Sequence, residues 1–132
     1  MKLSFSIKIV YLASPLRSFQ ENVSGGAEPL FKLIILLTKK PTMTDQDFAH
    51  YMLEMHAPIA KKMPGLRKYV VSIVQRPPNK EPEYHGVAEL YFDDRNGMKD
   101  AFSSPQGQIT QKDTENFTSR TMTLFADEHE IL

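Results

Sequence analysis

Between Phe31 and Thr38 the chain reads Phe-Lys-Leu-Ile-Ile-Leu-Leu-Thr, with apolar side chains on both alternating faces. Leu66 to Gln75 does the same, with Tyr69, Val71 and Ile73 in one set and Leu66, Val70 and Val74 in the other. A strand with one wet face alternates apolar with polar residues. Strands like these two need cover on both sides. Any sheet built from them is therefore an inner layer.

The first strand ends at Lys39-Lys40-Pro41-Thr42, and Thr44 follows as a helix N-cap whose hydroxyl can accept from the Asp47 N–H. Asp47 makes a short capping box, and Asp45 and Asp47 suit the positive end of the helix. Phe48, Met52, Met55 and Ile59 recur at helical spacing and predict the buried face, with Tyr51 beside them. Pro58 interrupts this helix, because it lacks the N–H that the Glu54 carbonyl would accept from. The expectation is a kink or restart, with Pro58 in the first turn of a short second piece that stops at Pro64-Gly65.

Leu66 to Gln75 is the second strand, Arg76 to Glu83 a proline-rich loop, and Gly86 to Phe92 the third strand. Asp93 or Asp94 caps a helix carrying Met98, Ala101 and Phe102. Ser104-Pro105 opens another helical stretch that runs to about Phe117, and Arg120 to Ile131 is the last strand. Strand, helix, strand, strand, helix, strand is the split βαβ order of an α+β, ferredoxin-like fold with a four-stranded antiparallel sheet. The helices of one chain cover only one face of that sheet. The other face needs a second copy, so the sequence predicts a homodimer that closes two sheets face to face into an α/β barrel.

Formal net charge is zero and there is no basic stripe, which argues against nucleic acid as a partner. No apolar run approaches membrane-spanning length. Cysteine is absent, which removes disulfides and thiolate chemistry and fits a reducing, cytoplasmic setting. No nucleotide-binding glycine pattern or paired-histidine metal motif occurs; His50 and His56 do not share a helix face. The expected cofactor and metal content is therefore none. Residues 1–29, rich in Ser and with a Gly25-Gly26 pair, read as an extension ahead of a domain spanning 30–132. Phe5 to Leu12 also fits a short strand or a poor signal sequence interrupted by Lys8.

From about Phe31 onward the chain resembles the EthD-like family of the dimeric α/β-barrel superfamily. The residues that carry the resemblance are Asp47-Phe48, Tyr51, Glu54-Met55-His56-Ala57-Pro58, Pro64-Gly65-Leu66 and Tyr69. Gly86 to Leu90, Phe92-Asp93, Ser104-Pro105-Gln106-Gly107 and Glu128 to Ile131 continue it in order. Met52 and Tyr91 stand where the family pattern has Trp, and Asp47 where Glu is commoner. The family is named for a protein needed in bacterial ether degradation. The resemblance implies an oxidoreductase; relatives include polyketide-tailoring enzymes, cofactor-free monooxygenases and an isomerase, and the fold does not choose among them.

The side chains narrow this. His56 is the leading proton-transfer candidate, being near neutral pKa, beside an apolar face and at the Pro58 irregularity. Against that stands a structural role, with the ring bonded to a freed carbonyl. Glu89, a carboxylate in an apolar strand, and His129, on the last strand, are its candidate helpers. Tyr69, Tyr91 and Met52 are candidates to line a substrate pocket. Three readings stay open for a small apolar or aromatic molecule. They are oxidation after deprotonation of a phenol or enol, isomerisation, cyclisation or dehydration by the same proton transfer, and binding without turnover.

Overall fold

A computed structural model describes residues 30–132, so the readings made for residues 1–29 lie outside the described residues. The chain forms β1 (Phe31–Lys39), α1 (Asp45–His50), a π-helical turn (Tyr51–His56), α2 (Ala57–Ala60), β2 (Lys68–Ile73), β3 (Gly86–Phe92), α3 (Arg95–Ser103), α4 (Pro105–Thr114) and β4 (Thr118–Asp127). The strands make one sheet in the order β2-β3-β1-β4, with every pair antiparallel. This is the expected α+β, ferredoxin-like arrangement. Its second strand is shorter than the apolar pattern suggested, and α4 stops at Thr114, leaving Phe117 in the core beyond it. β4 ends at Asp127, before the exposed tail.

The two faces of β1 have different fates. Phe31, Leu33, Ile35 and Leu37 are buried, while Ile34 and Leu36 between them are half-buried. Register carries this across the sheet: Ile35 lies opposite Ala88 on β3 and Thr123 on β4, and Leu36 opposite Val87 and Met122. One face thus packs Leu33, Phe92 and Leu90 against Phe48, Met52, Met98, Phe102 and Phe117. The other presents Ile34, Leu36, Val70, Val87, Met122 and Leu124, with no helix of the described residues over them.

Local signals explain the helix starts. The Asp47 N–H donates to Thr44 Oγ1 at 3.0 Å and the Thr44 N–H to Asp47 Oδ2 at 3.4 Å, completing the capping box. Asp94 and Ser104 cap α3 and α4 by accepting from the N–H groups of Gly97 and Gly107. Gly65 closes the second helical piece at a φ of 81°, where a side chain would be strained. Gly86 opens β3 directly under the first helix; a Cβ there would sit 2.9 Å from Met52 Sδ and 3.0 Å from the Phe48 ring.

The helix before Pro58 departs from expectation in an informative way. Its buried residues are Phe48, Met52, His56 and Ala60, each four positions after the last. Met55, predicted to face the core, is 49 % exposed, and His56 takes its place. At 3.6 residues per turn a repeat of four drifts around an α-helix. The widened turn from Tyr51 to His56, where the Ala57 N–H donates to the Met52 carbonyl, takes up that drift. Helix α2 then restarts with Pro58 in its first turn, as the sequence predicted.

One buried hydroxyl has no partner among the described residues: Thr123 Oγ1, on a fully buried side chain. An unsatisfied hydroxyl carries its desolvation penalty with no return. Thr123→Val keeps the shape and is expected to stabilise the protein by about 1 kcal/mol, read as a higher melting temperature. A lower one would show that the hydroxyl is bonded.

Candidate functional site

His56 leaves the π-helical turn pointing at α4. Its Nδ1 lies 2.8 Å from Asp113 Oδ2, and its ring packs 4.9 Å from the centre of Phe117. The other carboxylate oxygen, Asp113 Oδ1, accepts from the Tyr51 hydroxyl at 2.7 Å and from Asn116 Nδ2 at 3.0 Å. Asn116 Nδ2 also donates to the Tyr51 oxygen at 3.3 Å, and Tyr51 stacks on Phe117 at 5.0 Å. A carboxylate surrounded by donors acts as an acceptor, so His56 Nδ1 carries the shared proton. Nε2 is left with its lone pair, and it has no hydrogen-bond partner among the described residues.

His56 borders a cavity of about 20 Å³ between the helices and the sheet, with Met52, Met63, Tyr69, Phe102 and Thr110 among the lining residues. That is room for about one water molecule. The lining is largely apolar, as expected of a dry site. The Tyr69 hydroxyl has no hydrogen-bond partner among the described residues, and burial pushes its pKa up to about 12. At neutral pH it keeps its proton and is a hydrogen-bond donor. Two residues of this largely apolar lining thus carry a polar group with no protein partner among the described residues, one an acceptor and one a donor.

Burial pushes the His56 pKa below its ordinary 6.5, while Asp113 pulls the other way. The folded state therefore takes up this proton less readily than the unfolded chain. The sign follows: the contribution of His56 to stability is full above pH 6.5 and is lost as pH falls below that value. The wild type is expected to lose melting temperature between pH 7.5 and 5.5 more steeply than His56→Asn. Parallel curves would refute the assignment.

Of the residues singled out from sequence, the structure brings His56, Met52 and Tyr69 to one cavity. Glu89 lies on the opposite face of the sheet, 2.8 Å from Lys32 Nζ, which also lies 3.4 Å from Glu128. Glu89 is the main cause of the raised Lys32 pKa. Tyr91 shares that face, its pKa raised chiefly by the neighbouring Glu128, with Lys32 and Lys68 over its ring at 5.4 and 5.0 Å. His129 is exposed beyond the end of β4. Within one chain neither Glu89 nor His129 is placed beside His56. The carboxylate that is there, Asp113, comes from 57 residues away. Sequence reading missed it because α4 offers no local mark separating Asp113 from any other solvated acid. Among the described residues no group of His, Asp and Glu side chains is arranged to hold a metal ion, and no helix is long and apolar enough to cross a membrane.

A family model described as the EthD domain matches residues 40–121. An uncharacterised 11.0 kDa protein from the thcB–thcC intergenic region of Rhodococcus erythropolis is 29 % identical over 86 residues, covering 64 % of this chain and 84 % of that protein. The crystal structure of an EthD family protein from Bacillus halodurans is 28 % identical with a TM-score of 0.66, covering 76 % of this chain and 99 % of the other. Two more distant structures share the fold. A dimeric ferredoxin-like protein from Thermobifida fusca is 12 % identical with a TM-score of 0.61, over 76 % of this chain and 92 % of that one. SnoaB, a cofactor-independent oxygenase from Streptomyces nogalater, is 10 % identical with a TM-score of 0.59, over 79 % of this chain and 97 % of that one. The matched span holds the π-helical turn, His56, Tyr69 and Asp113 and covers more than half of the chain, which belongs to the EthD domain family.

Proposed function

We propose that this protein is a proton-transfer enzyme for a small apolar or aromatic molecule, with His56 Nε2 as the base. One observation carries the reading: a buried histidine oriented by a carboxylate, its second nitrogen unpaired at an apolar cavity. His56 takes a proton from the bound molecule, and Asp113 stabilises the imidazolium that forms. The Tyr69 hydroxyl donates to the anion left on the substrate, in a setting where a fixed donor counts for more than in water.

An electron-rich anion of this kind passes electrons to dioxygen directly, and the reading as an oxidoreductase rests on that chemistry. SnoaB, on the same fold, is a cofactor-independent oxygenase, which supports the reading by analogy of fold only. Without dioxygen, the same proton transfer gives isomerisation or cyclisation. Turnover with and without dioxygen separates the two, and turnover by His56→Asn tests the base itself.

The working form in this reading is a homodimer joined through the open sheet faces. Support comes from the half-buried Ile34, Leu36, Val70, Val87 and Leu124, which no helix among the described residues covers. The Thermobifida fusca neighbour is dimeric. Glu89 and Tyr91 then belong to the interface, with the Lys32 ammonium compensating the Glu89 charge.

A further inference from the structure

Tyr51 and His56 are five positions apart on one helical run. On an α-helix such positions lie about 140° apart around the axis. They would not both face α4. Here the i→i+5 bonding of the segment widens the turn, and the two side chains reach the two oxygens of Asp113 at 2.7 and 2.8 Å. The π-helical turn is thus what makes a shared carboxylate possible.

We propose that Tyr51 is a positioning residue for His56: delivered to Asp113 by the π-helical turn, its hydroxyl controls how strongly that carboxylate holds the imidazole proton. The proposal rests on the reading of His56 as the proton acceptor. Tyr51 keeps its own proton, because burial and the bond to Asp113 both raise its pKa. It therefore acts as a neutral donor into Oδ1. Negative charge drawn to Oδ1 is charge withdrawn from Oδ2, where the imidazolium is stabilised. Asn116 adds to the same effect from the C-terminal end of α4. A base held this way gives its proton back more readily, which a catalytic cycle requires.

Among the described residues, few titratable groups bear on His56. Asp113 faces it from α4 and Tyr69 lines the same cavity from β2, while Tyr51 and Asn116 act through Asp113. Phe117 packs on the rings of both His56 and Tyr51 and carries no charge.

The test is an NMR titration of the His56 imidazole in the full chain. Tyr51→Phe keeps the ring on Phe117 and removes only the donor. The expected result is a rise in the His56 pKa of roughly half a unit to one unit. Asp113→Asn, which removes the negative charge, is expected to move it the other way. If Tyr51 merely braced the helix, loosening Asp113 would lower the His56 pKa or leave it unchanged, and either result in folded Tyr51→Phe overturns the proposal. Asn116→Ala, at an exposed position, provides a second reading in the same direction should Tyr51→Phe fail to fold; no rise there overturns it equally. These titrations do not depend on turnover. Loss of the proton-transfer reading would appear instead as an active His56→Asn, with the Tyr51 effect on the titration intact.

Discussion

Ile35→Asp is expected to unfold the chain, and Leu36→Asp, one residue later, to leave a folded monomer. The difference lies in the pleat. Ile35 is 8 % exposed, lies opposite Ala88 and Thr123 and lines the cavity beside His56. A carboxylate there meets a largely apolar lining, and burial disfavours the charged form of His56 that could pair with it. The desolvation cost of several kcal/mol is comparable to the whole stability of a domain of this size. Leu36 lies opposite Val87 and Met122 on the open face. A charge there stays solvated in a single chain but is desolvated when two such faces close. Circular dichroism and sedimentation velocity at low micromolar concentration check both variants against wild type. A Leu36→Asp protein as dimeric as wild type, or a wild type that sediments as a stable monomer, would remove the sheet-face dimer.

His56→Asn is expected to fold, to dimerise and to lose turnover by about 10²–10⁴-fold. Asparagine keeps a polar side chain near Asp113 but cannot take up a proton near neutral pH. Folding survives because Asp113 keeps two donors, Tyr51 and Asn116, and is not left as an unpaired charge. A purely structural histidine gives the reverse: a lower melting temperature with turnover close to wild type. Measuring both on one preparation decides between them, and full activity in the folded variant ends the proton-transfer reading.

The fold was legible where local chemistry is strong. Thr44, Asp94 and Ser104 announce helix starts with hydroxyl or carboxylate caps, and each caps as its type predicts. The two-faced apolar pattern of β1 foretold a sheet face that no helix among the described residues covers. Pro58 announced an irregularity, but not its kind. A π-helical turn changes which residues face inward, and no pattern tuned to 3.6 residues per turn shows that Met55 yields its place to His56. The site was half legible for the same reason. His56, Met52 and Tyr69 lie near the irregularity in sequence and meet at the cavity. Asp113 and Asn116 reach it only through the packing of α4 on the π-helical turn, a tertiary contact with no trace in local periodicity.

The cavity beside His56 is bounded by two methionines, Met52 and Met63, both almost wholly buried. An organic molecule enters a space of about 20 Å³ only if its walls move. Unbranched thioether chains have three torsions to turn and lose little on doing so. If such a molecule binds as proposed, the torsions of Met52 and Met63, rather than a shift of the backbone, would make its room. A single substitution at either position would then change what fits while leaving the sheet, the caps and the histidine in place.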